Sequence, residues 1–271
     1  MIRLTGVSYA YPVQSQPALD GLNLEIGRGE FLTIMGRNGS GKSTLARLLN
    51  GLLIPGKGTV NVEGMDTASR VNLPLIRQRV GVVLSEPDSQ FVSNLVEEEV
   101  AFGPENLGLS SNQIRVRVQE ALALVHMEDY ARHPPFSLSG GQKQKVCLAS
   151  LLAMQPAFMV LDEPFSMLDG GEKKALVDIL RRLQREQNLA IVLLTHDVEH
   201  MLESDRVVVL DAGKLIFNDR VEEMPADAST WAGWGLRPHP LLGLAQAFRE
   251  RTGRELPLHL SPEEMASLLC K

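Results

Sequence analysis

The sequence predicts an α/β fold with a mostly parallel central sheet, because short apolar runs alternate with helical patterns along residues 1–215. Runs that lack polar alternation are typical of parallel strands covered on both faces. The predicted central strands lie at residues 33–35, 81–84, 158–161, 190–194 and 206–210. The helical patterns between them would supply the covering layers of a layered α/β domain.

Three other stretches alternate more regularly between polar and apolar residues. They span residues 2–9, 22–26 and 59–62, and Gly or Pro residues bound them. Alternation of this kind is typical of antiparallel strands that turn one face to solvent. We therefore expect a second, flanking antiparallel sheet beside the parallel one.

A helical segment interrupts the strand pattern at about residues 95–155. Between residues 95 and 137 the composition shifts toward Glu, Gln and Leu, and apolar residues recur at helical spacing. This segment is predicted to be a helical subdomain inserted into the sheet domain. Its apolar stripe consists of Ile114, Val118, Ala121, Leu122 and Val125.

The carboxy-terminal part of the chain has a different texture. Residues 224–240 contain Pro and Trp and are predicted to be a linker, and helices are expected around residues 241–251 and 262–269. Ser261, Pro262 and Glu264 fit a capping box with proline at the first helical position. We therefore divide the chain into residues 1–218, the sheet domain with its insert, and residues 219–271, a linker and a small helical appendage.

Composition narrows the class of protein. The chain has 271 residues, of which 44% are hydrophobic and 22% charged, as in ordinary soluble globular proteins. Its 27 Lys and Arg against 33 Asp and Glu argue against a broad nucleic-acid surface. No signal peptide is visible, and no apolar stretch approaches the ~20 residues that a membrane span requires. Two cysteines make a disulfide framework improbable, which favours a reducing compartment.

Residues 36–44 match the phosphate-loop pattern G-x-x-x-x-G-K-[ST], between an apolar strand and a predicted helix at residues 45–50. Backbone amides of such a loop bind phosphate, and the helix amino terminus adds positive potential. Lys42 would reach the β- and γ-phosphates of a nucleotide, and Ser43 would bind Mg²⁺. The central sheet is accordingly predicted to be a P-loop NTPase core. The predicted nucleotide contacts are Asn38, Gly39, Ser40, Gly41, Lys42, Ser43 and Thr44.

Two carboxylates follow the predicted strand at residues 158–161. Asp162 and Glu163 would lie at its carboxyl end, which is where ligands bind in α/β sheets. Asp162 is suited to the magnesium shell, and Glu163 could orient or deprotonate an attacking water. A strand that ends in Asp-Glu is common by itself, but together with the phosphate loop it indicates a nucleotide hydrolase.

A second candidate phosphate-binding surface lies at residues 138–142. Ser139, Gly140, Gly141 and Gln142 would open a helix and present free amides and a hydroxyl at its amino terminus. The same residues could equally form a simple helix cap. The two helix starts are expected to lie at opposite ends of the domain. If both bind phosphate, a partner chain is needed to bring them together.

Taken together, these motifs resemble those of ATP-binding cassette (ABC) ATPases, in the family's order. The resemblance covers residues 1–215 and also includes the D-loop at residues 166–169 and a histidine after the strand at 190–194. In that family, residues 36–44 are the Walker A loop and residues 138–142 are the signature sequence. The resemblance implies a head-to-tail dimer in which each ATP lies between the Walker A loop of one chain and the signature sequence of its partner. ATP and Mg²⁺ are the cofactors that it implies.

The resemblance also assigns roles to single residues. Glu163 would position the attacking water, with Lys42 and His196 as the other catalytic groups at the γ-phosphate. Asp169 would cross the dimer interface, and Tyr11 would stack on adenine, with Tyr9 as the rival for that role.

Within the superfamily, the chain is similar to the ATPase subunits of energy-coupling factor (ECF) importers. The similarity lies in residues 87–90, 96–108, 166–169 and 235–251. It implies import of a vitamin or a transition-metal ion, at the cytoplasmic face of the membrane. The implied partners are a second ATPase subunit, a transmembrane coupling subunit and a membrane substrate-binding subunit, with no nucleic acid.

One departure from the family concerns the Q-loop, where a glutamine usually follows the strand at residues 81–84. Here that position is Ser85, whose side chain is too short to reach as a glutamine does. We hypothesise a heterodimer with two unequal sites, and a slower homodimer is the competing interpretation. The alternative functions are another ABC importer, a non-transport ABC protein of DNA repair or translation, and a binding module without hydrolysis.

Overall fold

A computed structural model describes residues 1–12, 16–225, 227–237, 240–254 and 267. The described strands are β1 (Ile2–Tyr9), β2 (Leu19–Ile26), β3 (Phe31–Met35), β4 (Lys57–Val62), β5 (Met65–Asp66), β6 (Val80–Val83), β7 (Phe158–Asp162), β8 (Ala190–Thr195), β9 (Arg206–Asp211) and β10 (Lys214–Asp219). The described α-helices are α1 (Lys42–Leu49), α2 (Leu73–Arg79), α3 (Val96–Asn106), α4 (Ser111–Leu124), α5 (Gly140–Met154), α6 (Gly170–Gln187), α7 (Ala228–Gly233) and α8 (Pro240–Thr252).

The central sheet has six strands in the order β10-β9-β3-β8-β7-β6. All neighbours are parallel except β9 and β10, which are antiparallel. Strands β3, β7, β8 and β9 contain four of the predicted apolar runs, and β6 contains the fifth except for Leu84, so the predicted α/β class is confirmed. Strand β10 was not predicted; its apolar run of three residues is short, and most of this edge strand is exposed.

The flanking sheet is antiparallel, with the order β2-β1-β4-β5. It covers one face of the central sheet, since Ile2, Val60 and Leu32 share one apolar cluster with helix α1. Arg206 joins the two sheets. Its Nε lies 2.6 Å from Glu30 Oε1, and its terminal nitrogen donates to the carbonyl of Glu25 at 2.6 Å.

Helices α3, α4, α5 and α6 cover the other face, and α5 and α6 contact the sheet. In the predicted stripe on α4, Val118, Ala121, Leu122 and Val125 are buried, and Ile114 packs against the same cluster. That cluster also contains residues of β3, β7 and β8, so the helices share a core with the sheet. The division of the chain into residues 1–218 and 219–271 stays a prediction.

The segment that was predicted to be a linker contains α7 and a buried aromatic anchor. Trp231 is fully buried beside Met35 of β3 and Val209 of β9. Helix α8 lies close to its predicted position at residues 241–251. The predicted helix at 262–269, except for Ser267, and its capping box lie outside the described residues. Within the part of the chain that is described, no helix combines the length and apolarity needed to cross a bilayer.

Candidate nucleotide site

The phosphate loop connects the end of β3 to the start of α1, which begins three residues earlier than predicted. Lys42 is buried, and its ammonium donates to the carbonyl of Gly36 at 2.5 Å and to that of Arg37 at 3.2 Å. Burial lowers the pKa of Lys42, while the nearby carboxylates Glu163 and Asp162 act in the opposite direction. The backbone of the phosphate loop therefore binds the ammonium group of Lys42.

The glycines of the loop fit its shape. Gly41 has φ +106°, and a β-carbon there would lie 2.5 Å from the carbonyl oxygen of Ala18. Gly39 has φ +81° and open space beside it. Ser40 is buried, and its hydroxyl has no hydrogen-bond partner among the described residues. The loop thus combines left-handed backbone with a free hydroxyl, as a phosphate cradle requires.

Asp162 is the last residue of β7, and it is buried. Neither carboxylate oxygen has a hydrogen-bond partner of good geometry among the described residues. Burial raises its pKa, and the hydroxyl of Ser43 lies close enough to oppose that rise by stabilising the anion. Two unpaired carboxylate oxygens beside a hydroxyl form a hard oxygen donor set of the kind that Mg²⁺ prefers. The residues present therefore fit this ion.

Glu163 follows Asp162 in the left-handed backbone region, with φ +51°. Its Oε2 accepts from the hydroxyl of Thr195 at 3.1 Å, and its Oε1 accepts from the backbone N–H of His196 at 3.0 Å. The imidazole Nδ1 of His196 lies 2.7 Å from the same Oε1. Because β7 and β8 are parallel neighbours, their carboxyl ends bring these residues together, as expected for a site in an α/β sheet.

The sequence at 139–142 forms a complete capping box. Ser139 Oγ accepts from the backbone N–H of Gln142 at 3.3 Å, and Gln142 Oε1 accepts from that of Ser139 at 2.9 Å. A β-carbon at Gly140 or Gly141 would lie within 3 Å of Met167, so the glycines also permit close packing on residues 166–169. Among the described residues, no hydrogen bond joins 139–142 to 36–44. The phosphate-binding role of 139–142 stays a prediction.

Asp169 caps the amino terminus of α6. Its Oδ1 accepts from the backbone N–H of Glu172 at 2.9 Å, which completes a capping box. Lys145 of α5 lies 2.5 Å from Glu172, so the start of α6 is also tied to the helix that follows 139–142. The predicted role of Asp169 across an interface is not tested by these contacts within one chain.

Comparisons with known proteins place these motifs in a family. The family model described as ABC transporter matches residues 19–166. The chain belongs to the ABC transporter family. The energy-coupling factor transporter ATP-binding protein EcfA of Syntrophomonas wolfei is 48% identical over 88% of this chain and 87% of that protein. EcfA1 of Symbiobacterium thermophilum is 46% identical over 98% of this chain and 95% of its own length.

Solved structures agree with this assignment of the ABC fold. The cbiO1 protein of Clostridium perfringens, described as part of the ABC transporter complex cbiONQ, superimposes with a TM-score of 0.75. It is 31% identical and covers 93% of this chain and 96% of its own. A dimeric structure of the ATP-binding cassette MJ0796, in a post-hydrolysis state with ADP and Pi, also gives a TM-score of 0.75. It is 29% identical and covers 82% of this chain and 99% of its own.

In this ABC chain, Tyr11 lies beside the phosphate loop. Its hydroxyl is 3.2 Å from the hydroxyl of Thr44, the third residue of α1. Its ring meets Tyr9 edge-on with centroids 5.0 Å apart. Tyr9 packs against the apolar cluster between the two sheets, so its ring is partly occupied by core contacts. This arrangement favours Tyr11 over Tyr9 as the adenine partner, and the stacking itself stays a prediction.

The Q-loop region is held by a residue other than Ser85. Gln90 forms a reciprocal pair with Leu84, whose N–H donates to Gln90 Oε1 and whose carbonyl accepts from Nε2, each at 3.0 Å. Gln90 Nε2 also donates to the carbonyl of Glu86 at 3.1 Å. The amide of Gln90 therefore closes the loop that contains Ser85. It is engaged there by the loop's own backbone.

Gln144 is a site residue that the sequence reasoning missed. It is buried on α5, and its Nε2 donates to Ser166 Oγ at 2.9 Å, while its Oε1 accepts from the N–H of Met167 at 3.2 Å. A longer contact of 3.4 Å joins Nε2 to the carbonyl of Glu163. A signal existed, because Gln144 shares the buried helical face of Leu148 and Leu151, where a polar residue is unusual.

Proposed function

We propose that this chain binds ATP and hydrolyses it to power an ECF-type importer of a vitamin or a transition-metal ion. One observation carries the hydrolysis: the carboxylate of Glu163 is fixed by Thr195 and His196 beside the buried pair of Lys42 and Asp162. The similarity to named ECF ATP-binding proteins over nearly the whole chain supports the transporter assignment.

Binding rests on positioning and electrostatics. The amides of residues 38–44 and the ammonium of Lys42 bind the phosphates, and Ser43 and Asp162 hold Mg²⁺. The bound ion neutralises charge on the phosphate oxygens. Desolvation of Lys42 strengthens its attraction to phosphate, since little water screens it.

Hydrolysis depends on the orientation of one carboxylate. Glu163 accepts hydrogen bonds through both oxygens, which fixes the plane of its carboxylate. In that orientation it aligns the attacking water and accepts a proton from it. His196 has a largely exposed side chain and serves two neighbours, the carboxylate of Glu163 and the γ-phosphate.

A second ATPase subunit completes each site. The partner's copy of residues 139–142 covers the ATP that is bound to the Walker A loop of this chain. A dimeric ABC cassette provides the structural parallel. Ser85 favours a heterodimer with unequal sites over a homodimer, because this chain would then contribute an impaired Q-loop to only one of the two sites.

The membrane partners are a transmembrane coupling subunit and a substrate-binding subunit, and the chain acts at the cytoplasmic face of the membrane as a peripheral subunit. Docking uses the helical subdomain and residues 90–104. Val92 and Phe102 in this region are exposed apolar side chains, which is typical of an interaction surface. Lys143 on α5 pairs with Asp88 at 2.6 Å and ties the Q-loop region to the helical segment.

The test is phosphate release by the complex assembled from this chain, its partner ATPase and the membrane subunits. Glu163→Gln is expected to keep ATP binding and to lower the hydrolysis rate by at least about 10²-fold, the usual contribution of a positioned general base. Glu186→Gln is the matched control, because Glu186 is exposed on α6. Normal hydrolysis by Glu163→Gln would contradict the assignment. Co-purification with ribosomes or DNA in place of membrane subunits would contradict the transport role.

A further inference from the structure

A cleft of about 610 Å³ is lined by the phosphate loop and by residues from the carboxy-terminal part of the chain. Arg37 and Asn38 of the phosphate loop line one wall, and His196 lines another. The third wall consists of Gly235, Leu236 and Arg237. Residues 231–237, which we call the 231–237 segment, therefore lie beside the groups that are proposed to contact the nucleotide phosphates.

The 231–237 segment is anchored directly behind the phosphate loop. Trp231 is fully buried and its indole N–H donates to the carbonyl of Pro225 at 2.5 Å. Trp231 and Leu236 share a cluster with Met35, which is the residue immediately before the loop. The segment closes on itself through the backbone bond from Leu236 N–H to the carbonyl of Trp231, at 2.9 Å.

The same cluster supports the loop that carries His196. Met201 is fully buried in it, and Val198 packs against its edge. Val198 is only two residues beyond His196. Met35, which leads into the phosphate loop, and Val198 of the His196 loop therefore contact one shared apolar cluster, to which the 231–237 segment contributes Trp231 and Trp234. Because packed interiors have few voids, a shift of Trp231 would move both loops.

Gly235 makes the direct contact with the phosphate loop. It has φ +67°, and a β-carbon at this position would lie 3.1 Å from Cδ of Arg37. The guanidinium of Arg37 is held on its other side, with Nε 2.9 Å from Asp211 Oδ1 at the end of β9. Arg37 thus lies between a backbone surface and an ion pair. A glycine allows this approach without steric conflict.

We propose that the 231–237 segment positions the phosphate loop for nucleotide binding and the His196 loop for hydrolysis, with Trp231 and Gly235 as its positioning residues. Coupling of this kind is carried by contiguous packed side chains. Here Trp231 and Met35 share one cluster, and Met35 is covalently joined to the first residue of the phosphate loop. The inference rests on the proposed ATP-binding function. It assigns a role in that function to a part of the chain that lies beyond the Walker motifs.

The test compares two Gly→Ala substitutions that cause similar backbone strain, because both glycines have a positive φ. Gly235→Ala and Gly253→Ala both place alanine at a left-handed glycine, with φ +67° and +66°, but only the first puts a β-carbon against another of the described residues. Titration calorimetry of the full-length proteins with ADP gives the Kd. Gly235→Ala is expected to raise the Kd at least about threefold, as contact coupling predicts, while Gly253→Ala leaves it unchanged.

A purely structural role would give a different result. Both variants would then melt at a lower temperature, and the Kd for ADP would be the same for both and for the unsubstituted chain, which would overturn the inference. If Gly235→Ala does not fold, Trp231→Phe replaces it, because phenylalanine keeps the apolar contact but loses volume and the indole N–H. An unchanged Kd in that variant would also overturn the inference. If the unsubstituted chain does not bind ADP, the proposed function fails first.

Discussion

His196 and Glu163 are joined at one oxygen atom: the backbone N–H of His196 donates to Oε1 of Glu163 at 3.0 Å, and the imidazole Nδ1 lies 2.7 Å from that same oxygen. The loop after β8 therefore fixes the carboxylate that follows β7. The backbone bond would survive substitution of the histidine, but the ring contact would not. His196 thus orients Glu163 in addition to its expected contact with the γ-phosphate.

Substitution of His196 is expected to affect the rate more than nucleotide binding. In His196→Ala the truncated side chain leaves Oε1 of Glu163 with the backbone bond alone, so kcat for ATP hydrolysis should fall by about 10²-fold with little change in KM. Steady-state hydrolysis by the assembled complex measures both constants. His133→Ala is the matched control, because His133 is exposed. A large rise in KM with unchanged kcat would contradict the orienting role.

Asp162→Asn is expected to stabilise the chain in EDTA at neutral pH. Burial raises the pKa of Asp162, so the folded state resists the charged form, and this unfavourable contribution is complete above the folded pKa. It disappears as the pH falls below the unfolded value of about 3.9. The variant should therefore gain about 1–3 kcal/mol at pH 7 and lose that gain in acid.

Urea unfolding across this pH range measures the gain. Asp178→Asn, at an exposed position of α6, is the control and should show no comparable effect. Asp162→Asn should also lose the Mg²⁺ dependence of ATP binding, which titration with and without EDTA detects. Full Mg²⁺ dependence in Asp162→Asn would remove this residue from the metal site.

Gln144→Ala is expected to destabilise the chain by about 1–3 kcal/mol, because it removes the buried amide that bonds the hydroxyl of Ser166 and the N–H of Met167. It should also lower hydrolysis, since the residues that follow Glu163 lose their link to α5. Denaturant unfolding and phosphate release measure the two effects. Gln187→Ala, at the exposed end of α6, provides the comparison. Equal stability of the two variants would show that the amide of Gln144 has no supporting role.

Tyr11→Ala is expected to weaken ATP binding by about three- to tenfold, in line with an aromatic stacking contribution of roughly 0.5–1.5 kcal/mol. Tyr11→Phe keeps the ring and loses only the contact with the hydroxyl of Thr44, so it should bind nearly as well as the unsubstituted chain. Calorimetric titration separates the two variants. If Tyr9→Ala weakens binding and Tyr11→Ala does not, the rival residue contacts adenine.

Ser85→Gln tests the unequal-site hypothesis. A glutamine at this position should reach the metal and the attacking water, and it should therefore change the ratio of transport to ATP hydrolysis in the full complex. Ser85→Ala removes the hydroxyl without adding reach and should leave the ratio unchanged. Transport and phosphate release measured on the same vesicles supply the ratio. The hypothesis would be wrong if Ser85→Gln coupled the two processes as the unsubstituted chain does.

The Q-loop shows what sequence reasoning could reach. The absence of glutamine at position 85 is visible in the sequence, and so is a nearby glutamine at position 90. The reciprocal bonds between Gln90 and Leu84 were not predictable, because they depend on how the chain turns back after β6. The same holds for Gln144, whose buried position could be inferred from helical spacing but whose partners could not.

The sequence by itself determined the layered α/β fold, the positions of the two glycine-rich helix starts and the carboxylates at the end of β7. Strand periodicity and loop glycines are local signals, so they can be recognised without knowledge of the folded chain. Only the tertiary structure decided that Glu163 is bound by Thr195 and His196, and that Trp231 packs behind the phosphate loop. Such contacts join residues far apart in the chain, and their geometry arises only when separate elements pack around one core.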